Sequence, residues 1–261
     1  MLTSNEEDVI EEVMEVNKRY FDKILVLDGS TDRTEQIVRS YDCVKYFLKD
    51  KEIIDQLPGR KFEDGARQFL LEKAQTMFPV EGWFTLLHGD EIWHDDPNWV
   101  AEQAEKARAQ KVNWYTMNFF LHTSDRERDL EAIRSVQQRL LWYCPGYIEI
   151  RSFKNKPGIY YDLGRRHEVL PHGIGWQIYK HFPIYKHYPF RSARLMLQKK
   201  AQHQKSGFSD SHWWYSDHDS CFVDRLPGYK QARRFDGSFH EFEIKNQGTL
   251  IARWLRTSRY R

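Results

Sequence analysis

The chain has 261 residues, of which 40% are apolar, with three cysteines and a formal charge of +2 from 40 basic and 38 acidic side chains. A chain of this length can bury a sizeable core, and its composition excludes a disordered tail, a collagen-like repeat and a disulfide scaffold. Cys43, Cys144 and Cys221 are odd in number and far apart, which excludes zinc-finger spacing and implies a reducing compartment.

In chain order, residues 6–20 place Val9, Ile10, Val13, Met14 and Val16 at helical spacing among acids, with Asn5 as a candidate N-cap. Residues 23–28 form a continuous apolar run ending in Asp28, the pattern of a strand covered on both faces. Gly29-Ser30-Thr31-Asp32 reads as a turn, and Thr31 or Asp32 can cap a helix that runs to about residue 41. Residues 44–48 are a third strand, 49–62 a loop, 63–77 a helix and 83–88 another buried strand. Residues 97–110 read as a helix with Pro97 in its first turn, and 112–121 as a strand. This alternation predicts an α/β fold with a mostly parallel sheet and right-handed crossovers. Beyond residue 121 the pattern loosens into short aromatic strands over 136–161 and a basic helix near 191–205. No linker stands out, so the expectation is one domain, with a regular half over 1–121 and an elaborated half over 122–261.

Charge and aromatic content follow that division. Residues 1–100 carry 12 basic and 22 acidic side chains, residues 101–261 carry 28 and 16, and only eight of the 39 aromatic residues fall in the first 80. No apolar run approaches the ~20 residues that span a bilayer. Residues 1–10 lack the cationic flank and apolar core of a signal peptide, so a cytoplasmic protein is expected, touching membrane only at a surface.

In doubly wound sheets, ligands bind beyond the carboxyl ends of the strands. Two acidic motifs fall at such ends: Leu27-Asp28-Gly29-Ser30-Thr31-Asp32 and His88-Gly89-Asp90-Glu91. A carboxylate at one tip can accept hydrogen bonds from a base or ribose. One at a neighbouring tip can hold a hard divalent cation beside a pyrophosphate. Alone, the first motif is as often a turn with a capping Asp; the order of the two within alternating strands and helices gives the pair its weight.

Together with Ser4-Asn5-Glu6-Glu7 and Asp64-Gly65-Ala66-Arg67-Gln68, these motifs resemble the successive signatures of family 2 glycosyltransferases, nucleotide-sugar-dependent enzymes of the GT-A fold. The resemblance continues more loosely through Arg166-His167-Glu168, His187-Tyr188-Pro189-Phe190-Arg191-Ser192 and Phe235-Asp236-Gly237-Ser238-Phe239-His240, segments similar to those of bacterial cell-surface polysaccharide members. It implies a GT-A-like, Rossmann-like sheet flanked by helices, with donor binding in the first half and acceptor binding in the second. By the same resemblance, Asp28 contacts the nucleobase, Asn5 and Glu6 line the same cleft, and Arg67 faces the nucleotide. Asp90 holds Mn2+ or Mg2+ against the diphosphate, His167 completes the metal site, and Glu168 is a candidate general base. Asp217 and Asp219 are further base candidates, and spacing does not rank them.

The sequence departs from the family pattern twice. His88 stands where the first acid of a D-x-D pair is usual, and because imidazole suits Mn2+ better than Mg2+, a manganese preference is expected. Only Met1, Leu2 and Thr3 precede Ser4, so the first strand is expected to be very short or trimmed. Other readings fail on single residues. His167-Glu168 lacks the second histidine of H-E-x-x-H because residue 171 is Pro171, and a dehalogenase-like pair would need an acid at Val26. No P-loop or strand-linked G-x-G-x-x-G is present.

The second half is basic and aromatic. Residues 179–206 hold Lys180, Lys186, Arg191, Arg194, Lys199, Lys200 and Lys205 with no acid, and residues 249–261 add Arg253, Arg256, Arg259 and Arg261. Such stretches can lie on an anionic membrane, hold a pyrophosphate, or be a solvated face and a frayed tail. Trp213-Trp214-Tyr215 and Trp142-Tyr143 suit an acceptor wall or simple packing. No nucleic-acid-binding signature accompanies the charge, so no nucleic-acid partner is expected.

The sequence therefore predicts a metal-dependent, inverting glycosyltransferase, peripheral at the inner face of a membrane. It would move a sugar from a nucleotide diphosphate donor to a hydroxyl of a glycan or lipid-linked acceptor. The alternatives are a catalytically inactive nucleotide-sugar- or glycan-binding protein of the same fold, and a nucleotidyltransferase, whose basic glycine-rich N-terminal loop is missing.

Overall fold

The structure is a computed structural model that describes residues 1–49, 62–78, 82–125, 128, 133–162, 171–191, 195, 222–223 and 232–239. In chain order its elements are β1 (Leu2–Thr3), α1 (Ile10–Asn17), β2 (Ile24–Asp28), α2 (Thr34–Arg39), β3 (Val44–Lys49), α3 (Phe62–Met77), β4 (Trp83–Thr85), β5 (Glu91–Trp93) and α4 (Pro97–Lys106). There follow β6 (Lys111–His122), α5 (Val136–Arg139), β7 (Trp142–Lys154), β8 (Ile184–Phe190), β9 (Phe222–Val223) and β10 (Arg233–Arg234). The chain divides into two compact units, Met1–Trp114 with Glu149–Tyr185, and Tyr115–Ile148 with Lys186–Arg261.

In the first unit, β1, β2 and β3 make a parallel sheet in that order. Leu2 lies opposite Leu27, Thr3 opposite Asp28, and Asp28 opposite Lys49. All five residues of β2 are buried, which is why its sequence is apolar without alternation. One face of this sheet packs on α3, where Leu2, Leu25 and Leu27 meet Ala66, Leu70 and Ala74. Burying each leucine contributes ~1.5–3 kcal/mol.

Three local expectations are corrected. The N-cap position of α1 is Val9, not Asn5, because Val9 and Ile10 both donate to the Glu6 carbonyl and wind a turn before the helix. Helix α4 ends at Lys106 rather than near 110: Arg108 takes the left-handed conformation (φ 55°), which stops the helix. Its start is as predicted, with Pro97 in the first turn and Asp96 accepting from the amides of Asn98 and Trp99. The single strand expected over 83–88 serves two sheets. Residues 83–85 pair antiparallel with 152–154, and then Leu87 accepts from the Leu2 amide while His88 bridges Leu2 in parallel.

The expected mostly parallel sheet holds for β1-β2-β3 but not for the rest. A seven-stranded mixed sheet has the order β10-β7-β6-β8-β5, with β4 on β7 and β9 on β6. Both β4 and β10 run antiparallel to β7, and β9 runs parallel to β6. Parallel pairing needs a long crossover for each strand, and among the described residues the α-helix that follows β6 is the four-residue α5.

Within the second unit, Phe119 packs against Tyr143 and Tyr188 at 5.7 and 5.1 Å between ring centroids. Tyr143 is fully buried, so it packs the core and forms no acceptor wall, while Trp142 stacks on His122. Two cations of the basic stretch are also interior. Lys186 sits 4.3 Å from the centroid of Phe235, and Arg191 donates to the Tyr188 carbonyl, so neither side chain meets a membrane. Apart from Arg191 and Leu195, the basic helix predicted near 191–205 lies outside the described residues, as do Trp213-Trp214-Tyr215 and residues 249–261. Among the described residues no helix is long and apolar enough to cross a membrane.

Candidate active site

Strand β1 brings the two acidic motifs together. Its Leu2 is flanked by Leu27 on one side and His88 on the other, and the Leu2 carbonyl accepts from the Gly89 amide at 2.9 Å. The carboxyl ends of β1, β2 and the 86–88 segment therefore lie side by side, carrying Asn5 and Glu6, Asp28, and Asp90. Gly89 permits the close approach: a Cβ there would lie 2.9 Å from Glu6 Cγ and 3.0 Å from Thr3 Cγ2.

At the β2 tip, Asp28 is fully buried, and its Oδ1 accepts from Thr3 Oγ1 at 2.6 Å and from Ser30 Oγ. Asp28 Oδ2 is buried without a hydrogen-bond partner among the described residues. An unpaired buried carboxylate oxygen is costly, and a ligand N–H would offset that cost. The neighbouring loop is cross-tied. Asn5 adopts φ 58°, a conformation Asn tolerates better than most residues, and its Oδ1 accepts from the Thr31 amide while its own amide donates to Ser30 Oγ. Glu6 is buried, with its amide on Thr34 Oγ1. Asp32 accepts from the Thr34 and Glu7 amides, which secures the turn ahead of α2.

The second tip rests on a buried charge network. Asp90 is buried within a turn in which the Glu91 amide donates to the His88 carbonyl. Glu91 reaches back: its Oε2 accepts the His88 amide at 2.9 Å and its Oε1 lies 3.4 Å from His88 Nδ1. Arg151, on β7, has no exposed surface and pairs with Glu91 at 2.7 Å and with Glu149 at 2.8 Å. It also donates to Tyr185 Oη at 3.0 Å, and its Nη1 lies 3.4 Å from His88 Nε2. Glu149 takes a second guanidinium, Arg67 of α3, at 3.3 Å. Arg67 is thus held against Glu149, in the charge network behind the tip. A guanidinium has only donors, so His88 Nε2 must be the acceptor and Nδ1 carries the proton that faces Glu91.

This arrangement decides what could hold a divalent cation. His88 has both ring nitrogens engaged, so Asp90 is the carboxylate at this tip that could ligate a cation. Among the described residues no group of three or more His, Cys, Asp and Glu side chains is arranged to hold a metal ion. One carboxylate together with substrate phosphates and water is the ordinary binding mode of Mg2+, so the donor set fits an open site and not an all-protein cage. His167, Glu168, Asp217 and Asp219 lie outside the described residues.

Sequence reasoning missed Thr3, Ser30, Glu91, Glu149 and Arg151. A signal for the last two exists: Glu149 and Arg151 stand two apart among Ile148, Ile150 and Phe153, which puts opposite charges on one face of a strand.

The Glycosyl transferase family 2 profile matches residues 1–169, about two-thirds of the chain and both acidic tips. The protein belongs to the family 2 glycosyltransferases. No curated protein matches the chain. Membership of this family implies a nucleotide-sugar donor and an acceptor as substrates.

Proposed function

We propose that this family 2 glycosyltransferase is active, and that it moves a sugar from a nucleotide diphosphate donor to a hydroxyl of a glycan or lipid-linked acceptor with inversion. The observation that carries the reading is Asp28 Oδ2, a buried carboxylate oxygen without a partner among the described residues, at a tip tied through β1 to the tip that bears Asp90. Asp28 accepts the base N–H, and Asn5 and Glu6 wall the same cleft. Arg67 acts from behind this tip, where its pairing with Glu149 steadies the network. His88 supports the donor side through its contacts with Glu91 and Arg151.

A divalent cation, Mn2+ or Mg2+, held by Asp90 and His167 would offset charge growing on the departing diphosphate. In the transfer, the acceptor oxygen bonds to the anomeric carbon as the bond from that carbon to the diphosphate breaks. The acceptor proton passes to a carboxylate base, for which Glu168, Asp217 and Asp219 are the candidates. Residues 1–121 serve the donor and 122–261 the acceptor, and the protein works at the cytoplasmic face of a membrane.

A second reading, a binder without turnover, draws on His88, which removes one acid of the pair and offers no free nitrogen in its place. The test is a panel of UDP-, GDP- and dTDP-sugars with Mn2+ or Mg2+. Release of nucleoside diphosphate supports the enzyme; ligand-induced thermal stabilisation without release supports the binder.

A further inference from the structure

The charge network behind the Asp90 tip has no part in the chemistry above, yet it is the most buried ionic cluster described. Its members converge on residues 88 and 91, which bracket Gly89 and Asp90. Arg151 and Glu91 expose no more than 1% of their side chains, so the network is interior and does not itself meet a diphosphate. What it touches is the turn. Glu91 grips the His88 amide and ring, and Arg151 holds Glu91 on one side and the His88 ring on the other.

We propose that Arg151 is a positioning residue for Asp90. Through Glu91 and His88 it fixes the 88–91 turn, and His88 replaces the usual first acid as a neutral link in that clamp and not as a metal ligand. The proposal rests on the reading of Asp90 as the donor-side carboxylate. It explains why imidazole is workable at position 88. An aspartate there would set a carboxylate beside Glu91, whereas the ring offers an acceptor to Arg151 and a donor to Glu91. Tyr185 and Glu149 complete the arginine's surroundings and hold its plane. Partners that orient a ligating group without touching the metal alter affinity or activity by about 10–100-fold when lost.

The test compares His88→Ala, His88→Gln and Arg151→Lys. Glutamine carries both an acceptor and donors and can take both contacts; alanine can take neither. Amide hydrogen exchange at His88, Gly89 and Glu91 is measured by NMR in the apoprotein beside the thermal midpoint. Binding of Mn2+ with inorganic pyrophosphate, and kcat and KM where a donor is turned over, are measured alongside. The expected result is exchange about tenfold faster at those amides in His88→Ala and Arg151→Lys, protection largely restored in His88→Gln, and a loss in kcat rather than KM. Unchanged exchange in folded His88→Ala overturns the clamp. So does His88→Gln that keeps its protection but loses Mn2+ binding, because His88 would then be a ligand. If Arg151→Lys does not fold, the two His88 variants decide. If no donor is turned over by the wild type, the functional reading fails while the exchange measurement still settles the clamp.

Discussion

Thr3 donates its hydroxyl to Asp28 Oδ1 at 2.6 Å across the register pair that joins the ends of β1 and β2. Because Ser30 shares the same oxygen, both described donors are spent on Oδ1, and the other carboxylate oxygen is the one proposed to meet a ligand. Asp28→Asn can keep Oδ1 for Thr3 and Ser30 while turning the free acceptor into a donor. The fold should survive and donor affinity should fall by about 10–100-fold, the value of a hydrogen bond to a charged group. Calorimetric titration with the donor checks this.

Asp90→Ala removes the carboxylate proposed to face the diphosphate. Transfer should fall by at least about 100-fold, with the thermal midpoint within a few degrees of wild type. Full activity in that variant would remove the metal assignment.

Gly89→Ala tests the close approach of the two tips. The new methyl would meet Glu6 Cγ and Thr3 Cγ2, and both Glu6 and Thr3 are buried and cannot swing aside. The cost should be about 1–3 kcal/mol in a denaturant titration, with a weaker donor complex.

Glu149 sits between Arg67 and Arg151, with all three side chains buried. Glu149→Leu removes one buried ion-pair partner from each guanidinium group. Breaking a buried ionic cluster by removing one partner costs about 3–5 kcal/mol, which urea unfolding would register.

His122 supplies a pH dependence of stability. Burial lowers its imidazole below the ordinary value, and Nδ1 accepts from the Ser124 amide, so the folded state favours the neutral ring. As pH falls below about 6.5, the unfolded chain takes up a proton that the folded chain resists, so stability drops. Unfolding free energy measured between pH 7 and 5 should fall less in His122→Gln than in wild type.

Much of residues 1–121 was legible because local rules govern it. The apolar run into Asp28, Pro97 at the start of α4, and the acidic motifs beyond the strand ends each declare themselves within a few residues. What stayed hidden depends on partners far along the chain. Nothing near Glu91 announces that Arg151, 60 positions later, will pair with it. Residues 83–88 read as one strand because composition does not say which sheet each half will join. Lys186 looked like surface charge because a lysine over an aromatic ring and one in water have the same sequence pattern. The proposed metal site was legible only as far as Asp90. His88 could be recognised as a departure, but its engagement with Arg151 needed three-dimensional contacts.

Strand β1 also makes the site measurable. Leu2 donates to Leu87 and accepts from Gly89, while its neighbour Thr3 holds Asp28. A nucleotide settling on Asp28, as proposed, would act on Thr3, whose chain neighbour Leu2 carries the Gly89 amide. The Gly89 amide, in the sparsely populated glycine region of a nitrogen-15 spectrum, becomes a built-in gauge. One resonance would respond both to a nucleoside arriving at the first tip and to a cation arriving at the second.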